Sequence, residues 1–379
     1  MHSEHSQDIE MMALAIRLAE QGLYTTDPNP RVGAVIVHSG AILGQGWHQF
    51  AGEPHAEVHA LAQAGVRAQG ATAYVTLEPC AHYGKTPPCA DALIKAGVSR
   101  VVYASRDPNP LVSGKGADKL RAAGIQVEQG LLDAQARVLN PGFFSRFERQ
   151  RPFIRLKVAI SVDGRTAMAS GESQWITGAA ARADVQRLRA RSSAIVTGAG
   201  TLREDDPLLT VRSETFSADP SLLARIAKKA QPDCYVVAGA LPVPVDARVW
   251  QVSRRNWLVL PEGNNQGFPR DFPGETLLLP GSNRRVSLPD LVAHWQQVGC
   301  NEVLVEAGAG LAGAFLQSGL VDELWVYMAP VLLGSSARPL ADWSIGSMAD
   351  KQMLKLKDMR MIGDDIRLIY RPCGNKGSE

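Results

Sequence analysis

Apolar and polar positions alternate along this chain with a period that switches between about 3.6 and 2 residues. A helix is predicted over residues 8–22, with Gly22 as a stop, on an apolar stripe of Ile9, Met12, Ala13 and Ile16 that Leu23 continues. Short apolar runs over 32–37, 72–77, 99–104 and 125–127 predict strands, with 41–46 as hairpin partner of the first. Helices are predicted over 55–64, 89–96 and 117–123, then a helix and tail over 131–149. Strands alternating with helices imply a layered α/β domain with a mainly parallel sheet core. Arg151-Pro152 marks a boundary, after which the pattern restarts. Strands are predicted over 153–160, 193–197, 233–237, 256–260, 276–279, 302–306 and 323–333. Helices are predicted over 178–191, from a cap at Ser287 with Pro289 in the first turn, and over 311–318. Residues 353–356 and 366–370 close as a hairpin, and 262–287 is the loosest stretch. Two domains follow, 1–149 and 150–379.

The length of 379 residues agrees with two cores. At 45% hydrophobic and 21% charged, the composition is that of a soluble globular protein. A net charge of +2, without a Lys/Arg block, gives no support to a dedicated nucleic-acid binder. The polar N-terminus lacks the apolar core of a signal peptide, and no apolar run is long enough to cross a bilayer. Five cysteines, three of them scattered without pattern, fit a reducing cytoplasm.

The chemistry concentrates between Pro54 and Cys89. His55-Ala56-Glu57, Glu78-Pro79-Cys80 and Pro87-Pro88-Cys89 supply one imidazole and two thiols. That set fills three zinc positions and leaves a fourth for water. Glu57, two residues from the histidine, is suited to carrying protons rather than to ligation. The arrangement resembles the zinc deaminases. Buried apolar cysteines and an unrelated histidine are the bland alternative. The eight residues between the cysteines, Ala81 to Pro88, form a long, polar insert that faces substrate in this reading.

A second signal is Gly308-Ala309-Gly310-Leu311-Ala312-Gly313, a G-x-G-x-x-G run between strand and helix. Asp322 and Glu323 come too soon for a Rossmann unit, so the run reads as a phosphate loop on another α/β scaffold. Glycines kept for tight helix–strand packing are the alternative. Thr201 to Pro207 reads as a dense polar turn flanked by Arg189 and Arg212, and Trp175 offers a flat ring.

Together these motifs resemble the bifunctional deaminase/reductases of riboflavin biosynthesis over nearly the whole chain. The matching residues include Asp27-Pro28-Asn29-Pro30, the two cysteine clusters with Lys85, Asp107 to Pro110, Asn140 to Phe144, Arg155 to Arg165, Thr197 to Arg212, and Glu306-x-Gly308. The resemblance implies a cytidine-deaminase-like three-layer domain followed by a dihydrofolate-reductase-like domain. It implies one zinc per chain, on His55, Cys80 and Cys89, with Glu57 catalytic and Asn29, His48, His82 and Lys85 on substrate. It implies NADPH at Ala159, Trp175, Thr201, Asp205 and Gly308, Ala309, Gly310, Leu311, Ala312, Gly313 and Ala314. Substrate would meet Ser173, Arg189, Leu209, Arg212 and Glu306, the two arginines as phosphate partners. The substrate would be a phosphorylated pyrimidine, deaminated and then reduced in its ribosyl group. A cytoplasmic homo-oligomer, dimer or tetramer, with no nucleic-acid or membrane partner, is expected. Ala238-Gly239-Ala240 departs from the family's polar pair and strips hydrogen bonds from the expected cofactor wall.

Two rivals stand beside this reading. One is another nucleoside or tRNA deaminase fused to an α/β nucleotide-binding domain. The other is a zinc-stabilised scaffold without turnover. A structural zinc takes four protein ligands, and the local cluster offers three with an acid beside them.

Overall fold

Each half of the chain wraps helices around a sheet of its own in the computed structural model, which describes residues 2–83, 87–216, 219–239, 242–263, 273–283 and 285–373. The two units are Met1–Gln150 and Arg151–Glu379.

The first unit contains α1 (His2–Glu20), β1 (Gly33–His38), β2 (Ala41–Trp47), α2 (Ala56–Ala64), β3 (Thr72–Leu77) and α3 (Cys89–Lys95). It continues with β4 (Arg100–Ser105), α4 (Lys115–Ala122), β5 (Gln126–Gln129), α5 (Asp133–Leu139) and α6 (Pro141–Glu148). The strand order is β2-β1-β3-β4-β5. Side chains of β1 alternate between two cores. Ala34 and Ile36 pack with Ala56 and Ala60 of α2 and Leu93 of α3. Val35 and Val37 pack with Met12, Ala15 and Ile16 of α1. Three layers result, as the deaminase-like reading expects.

The sheet is less parallel than expected. β1 runs antiparallel to both β2 and β3, and only β3, β4 and β5 are mutually parallel. The hairpin enters through β1, so its direction reverses there. The expected helix and tail over 131–149 is two helices. Asn140 breaks them: its side chain accepts from Arg31 N at 2.8 Å and donates to Arg31 O at 2.9 Å, and Pro141 opens the second helix.

α2 lies unusually close to the hairpin. A Cβ at Gly44 would stand 2.1 Å from Ala60 O, and one at Gly46 would stand 2.5 Å from Ala56 O. Small residues on both surfaces set this distance, and with it the position of the α2 N-terminus.

The second unit opens with β6 (Phe153–Ser161), β7 (Arg165–Ala167), α7 (Ala179–Arg191), β8 (Ala194–Gly198), α8 (Ala199–Asp205) and α9 (Pro220–Lys228). Next come β9 (Asp233–Val237), β10 (Asn256–Pro261), β11 (Glu275–Leu279), the short β12 (Gly281–Ser282) and β13 (Arg285–Val286), and α10 (Leu288–Gln297). It ends with β14 (Glu302–Glu306), α11 (Ala309–Gln317), β15 (Glu323–Ala329), β16 (Arg338–Pro339), β17 (Leu354–Ile362) and β18 (Asp365–Pro372). The nine-stranded sheet runs β11-β10-β9-β8-β14-β6-β15-β18-β17. It is parallel from β11 to β15, and the terminal hairpin is antiparallel.

Helices α10 and α11 cover one face through Trp295 and Phe315, and α7 covers the other through Val185 and Leu188. Central β6 carries Arg155, buried between Glu302 and Glu323. Several elements differ from the sequence reading here. The polar turn at Thr201 is mostly helix α8, which ends where Asp206 enters the left-handed region. Helix α9 was not anticipated, although Asp219 caps it by accepting from Ser221 N and Pro220 follows at the first helical position. The strand over 323–333 stops at Ala329, where the chain turns.

Gly44→Ala forces backbone against backbone. It is expected to lower stability by about 1–3 kcal/mol through overpacking. Urea unfolding at unchanged slope reads this, and a midpoint equal to that of the parent would refute the tight-contact account.

Candidate active sites

Three elements converge on the first site. His55 stands at the N-cap of α2, Cys80 follows β3, and Cys89 begins α3. His55 Nδ1 lies 3.7 Å from Cys80 Sγ and 3.3 Å from Cys89 Sγ. All three ligand atoms fall within 4.8 Å of one another. Cys89 N also donates to Cys80 Sγ at 3.3 Å. Glu57, on the first turn of α2, is 3% exposed, and its Oε2 has no hydrogen-bond partner among the described residues. Burial pushes its carboxyl up. One nitrogen, two sulfurs and an orphaned buried carboxylate oxygen fit a zinc ion that keeps one position open.

The cluster is held from behind. Glu78 is buried, and its carboxylate accepts from the backbone amides of Asp107, Gly114 and Ala117. It thereby caps α4. Gly116 lets α4 approach Pro79, whose carbonyl oxygen would lie 1.8 Å from an added Cβ. Both contacts tie the two residues before Cys80 to α4 and the turn that leads into it. In the sequence Glu78 stands only as part of Glu78-Pro79-Cys80, with nothing to mark it as a support.

His48 is buried and packs edge-on to His55, centroids 5.2 Å apart. Burial lowers its pKa to about 4, so the ring is neutral. Its Nδ1 donates to Pro54 O at 3.1 Å, and its Nε2 accepts from Asn29 Nδ2 at 3.1 Å. Asn29 and His48 therefore meet beside the ligand cluster. His82 is exposed on the insert, and Lys85 lies outside the described residues.

The second site is a cavity of about 550 Å³ at the C-terminal ends of β8 and β14. Ala159, Ser173, Trp175, Arg189, Thr201, Asp205, Leu209, Arg212, Glu306, Gly308 and Ala309 all line it. Ser173 Oγ donates to Asp205 Oδ1 at 2.7 Å. Arg189 is not a free cation: it holds Glu306 through Nε at 2.6 Å and Nη2 at 3.1 Å, and donates to Thr210 O. Lys157 Nζ stands 3.6 Å from Glu306 on the adjacent strand. Burial alone would raise the Glu306 carboxyl. Arg189 and Lys157 outweigh that and hold it down to about 2.

The rest of the G-x-G-x-x-G run belongs to a helix rather than a loop. Gly308 is the N-cap, α11 begins at Ala309, and Ala312 and Gly313 are buried. A Cβ at Gly313 would meet Asp342 O at 2.4 Å, so this glycine serves close packing. Leu311 packs against Gly198, and Ala314 against the core beneath α11. Ala238 does not line the cavity. It is buried with Ala199, Leu258 and Leu260, so its lack of a polar group is a core property. Ala240 lies outside the described residues. The sequence reading missed Arg254, which donates to Leu208 O and Leu209 O and fixes Leu209 at φ 51° against the cavity. An Arg-Arg pair in a loop carries no signal for that role.

A zinc-type deaminase site on a three-layer domain and a cofactor-sized cavity on a mixed sheet define a two-headed enzyme. Family comparisons agree. Residues 5–105 match the cytidine and deoxycytidylate deaminase zinc-binding region, and 152–368 match the RibD C-terminal domain. The riboflavin biosynthesis protein RibD of Escherichia coli K12 is 48% identical over 96% of this chain and 98% of its own. That of Haemophilus influenzae is 47% identical over 97% and 98%. The crystallised RibD of Acinetobacter baumannii (form 1) superposes with TM-score 0.88 at 46% identity, covering 97% of this chain and 99% of that one. A Thermotoga maritima diaminohydroxyphosphoribosylaminopyrimidine deaminase/5-amino-6-(5-phosphoribosylamino)uracil reductase gives 0.84 at 31% identity, covering 98% and 100%. The chain belongs to the RibD family, the bifunctional deaminase/reductases of riboflavin biosynthesis. It is a hydrolase and an oxidoreductase that uses Zn2+ and NADPH. No helix among the described residues is long and apolar enough to cross a membrane.

Glu78→Ala strands three backbone amides behind Cys80. Zinc affinity is expected to fall about 10–100-fold, the range for outer-sphere supports, in chelator competition. An unchanged affinity would remove Glu78 from the site. Because the Glu306 pKa is depressed from 4.5, its stabilisation is present above that value and fades as pH falls toward about 2. The stability gap between the parent and Glu306→Gln should narrow on acidification below about pH 4.5. A constant gap would contradict the ion-pair account.

Proposed function

We propose that this enzyme acts twice on one phosphorylated pyrimidine. Residues 1–149 remove the 2-amino group of 2,5-diamino-6-ribosylamino-4(3H)-pyrimidinone 5′-phosphate as ammonia. Residues 150–379 then reduce the ribosyl group to ribityl. The observation that carries the first step is the orphaned Oε2 of Glu57 beside His55, Cys80 and Cys89.

When bound, zinc supplies Lewis-acid activation of water, and NADPH supplies a hydride. His55, Cys80 and Cys89 hold the metal. Glu57 takes a proton from the attacking water and returns it to the departing amine. Asn29 and the neutral His48 orient the ring, and His82 of the insert meets the substrate. Lys85 suits the phosphate as a point charge.

In the second step, Ala159, Trp175, Thr201, Asp205 and the start of α11 at Gly308 and Ala309 receive the cofactor. Ser173, Arg189, Leu209, Arg212 and Glu306 receive the deaminated substrate. The paired Arg189 and Glu306 offer fixed donors and acceptors to hydroxyl groups, and Arg212 offers a charge for phosphate. The homo-oligomeric and cytoplasmic readings belong to this proposal, as does the absence of nucleic-acid and membrane partners.

The test follows ammonia release without NADPH, then loss of NADPH absorbance after its addition. Glu57→Gln should retain one zinc, lose deamination by about 100-fold or more, and still oxidise NADPH when given the deaminated intermediate. Loss of zinc in that variant would make Glu57 a ligand and overturn its role. Neither signal from zinc-loaded parent would overturn the substrate assignment.

A further inference from the structure

The turn from Leu208 to Arg212 runs along the cavity, and most of its backbone groups have a protein partner. Arg254 donates to Leu208 O through Nη2 at 2.8 Å and to Leu209 O through Nη1 at 2.7 Å. Arg189 donates to Thr210 O, the Gln231 side chain bonds both N–H and C=O of Val211, and Gln186 accepts from Arg212 N. The amides of Leu209 and Thr210 have no hydrogen-bond partner among the described residues.

The direction of those two amides follows from the carbonyls. Both peptides are trans, and a trans peptide points its C=O and N–H opposite ways. With the carbonyls of Leu208 and Leu209 turned to Arg254, the amides of Leu209 and Thr210 turn away from it. Leu208, Leu209 and Thr210 line the cavity and Arg254 stands behind them, so both amides face the cavity. The Leu209 side chain is buried with Leu202, Val236 and Trp250, so backbone is what this residue offers a ligand. Its φ of 51° is a conformation leucine rarely adopts, and it brings two successive carbonyls to one guanidinium. A left-handed residue in a turn gathers successive amides into an anion-binding concavity. The charge behind the turn fits an anion as well. Arg254 spends its hydrogen bonds on neutral oxygens, those of Leu208, Leu209 and the Asn256 side chain, while burial opposes its charge. An anion across the turn supplies the counter-charge.

We propose that Arg254 is a positioning residue of the reductase. It holds the Leu209 and Thr210 amides toward the cavity, where they and Arg212 receive the phosphate group of the substrate. The proposal rests on the reading that this cavity takes a phosphorylated substrate. NADPH oxidation is measured on the full chain with the deaminated ribosyl phosphate and with the same compound lacking its phosphate. The parent should prefer the phosphorylated compound. Arg254→Ala should raise KM for it about tenfold or more, the scale of a lost charge-assisted hydrogen bond. Its kcat, its NADPH affinity and its KM for the dephosphorylated compound should stay at parent values. Arg254→Lys, which keeps the charge but not the two-pronged grip, should fall between the two. An equal rise in KM for both compounds, or no rise at all, would overturn the proposal. If Arg254→Ala loses NADPH affinity, Arg254→Lys decides: a KM raised for the phosphorylated compound alone upholds the proposal, and parent values overturn it. A parent that does not distinguish the two compounds would overturn the phosphate reading itself, and the proposal with it.

Discussion

The deaminase centre depends on how closely α2 can lie on the β1–β2 hairpin. His55 and Glu57 sit at the start of that helix, and Cys80 and Cys89 come from elsewhere in the chain. Their meeting requires the helix N-terminus to be placed to within a fraction of an ångström. Glycines at 44 and 46, facing alanines at 56 and 60, bring backbone against backbone. Contacts of that kind have one distance, whereas larger side chains would allow several packings. On the other flank, Pro79 seats on Gly116 and Glu78 ties the end of β3 to α4. The candidate metal ligands are thus hung on two sterically defined contacts.

The second unit solves its positioning problem with charge. Arg155 lies fully buried near the N-terminal ends of β14, β6 and β15, with Glu302 and Glu323, and Arg191 and Lys357 complete the network. At the opposite end of the same strands, Arg189 and Lys157 clamp Glu306. Buried pairs like these add little net stability, because desolvation offsets much of the attraction. Losing one partner is costly, however, so each network fixes which residues face each other across the ladders. The Glu306 clamp lies in the cavity.

Much of this was legible because the motifs carry their own geometry. His55, Glu57, Cys80 and Cys89 read as one cluster from spacing, and strands such as Thr72–Leu77 read from their apolar runs. What was not legible depended on tertiary partners. Thr201 to Asp205 reads as polar, yet it is helical, with Leu202 buried beside Ala199 one turn earlier in α8. The break at Asn140 is made by Arg31, more than a hundred residues away, which no local pattern encodes. Gly313 shows the limit of motif reading. It completes a phosphate-loop pattern, but its missing side chain answers to Asp342.

Glu57 links function to stability in the first unit. A carboxyl that is 3% exposed, with one oxygen unpartnered, is expensive to bury. Two thiols and an imidazole crowd the same spot. A divalent cation held by the same three side chains offsets that cost and reaches the native chain far better than the unfolded one. Ligand binding of this kind stabilises by mass action, in proportion to the logarithm of free metal over its dissociation constant. The features on which the proposed proton transfer by Glu57 rests, burial and a free oxygen, therefore also make the apo domain the less stable form. Selection for catalysis and selection for metal retention act on the same few atoms.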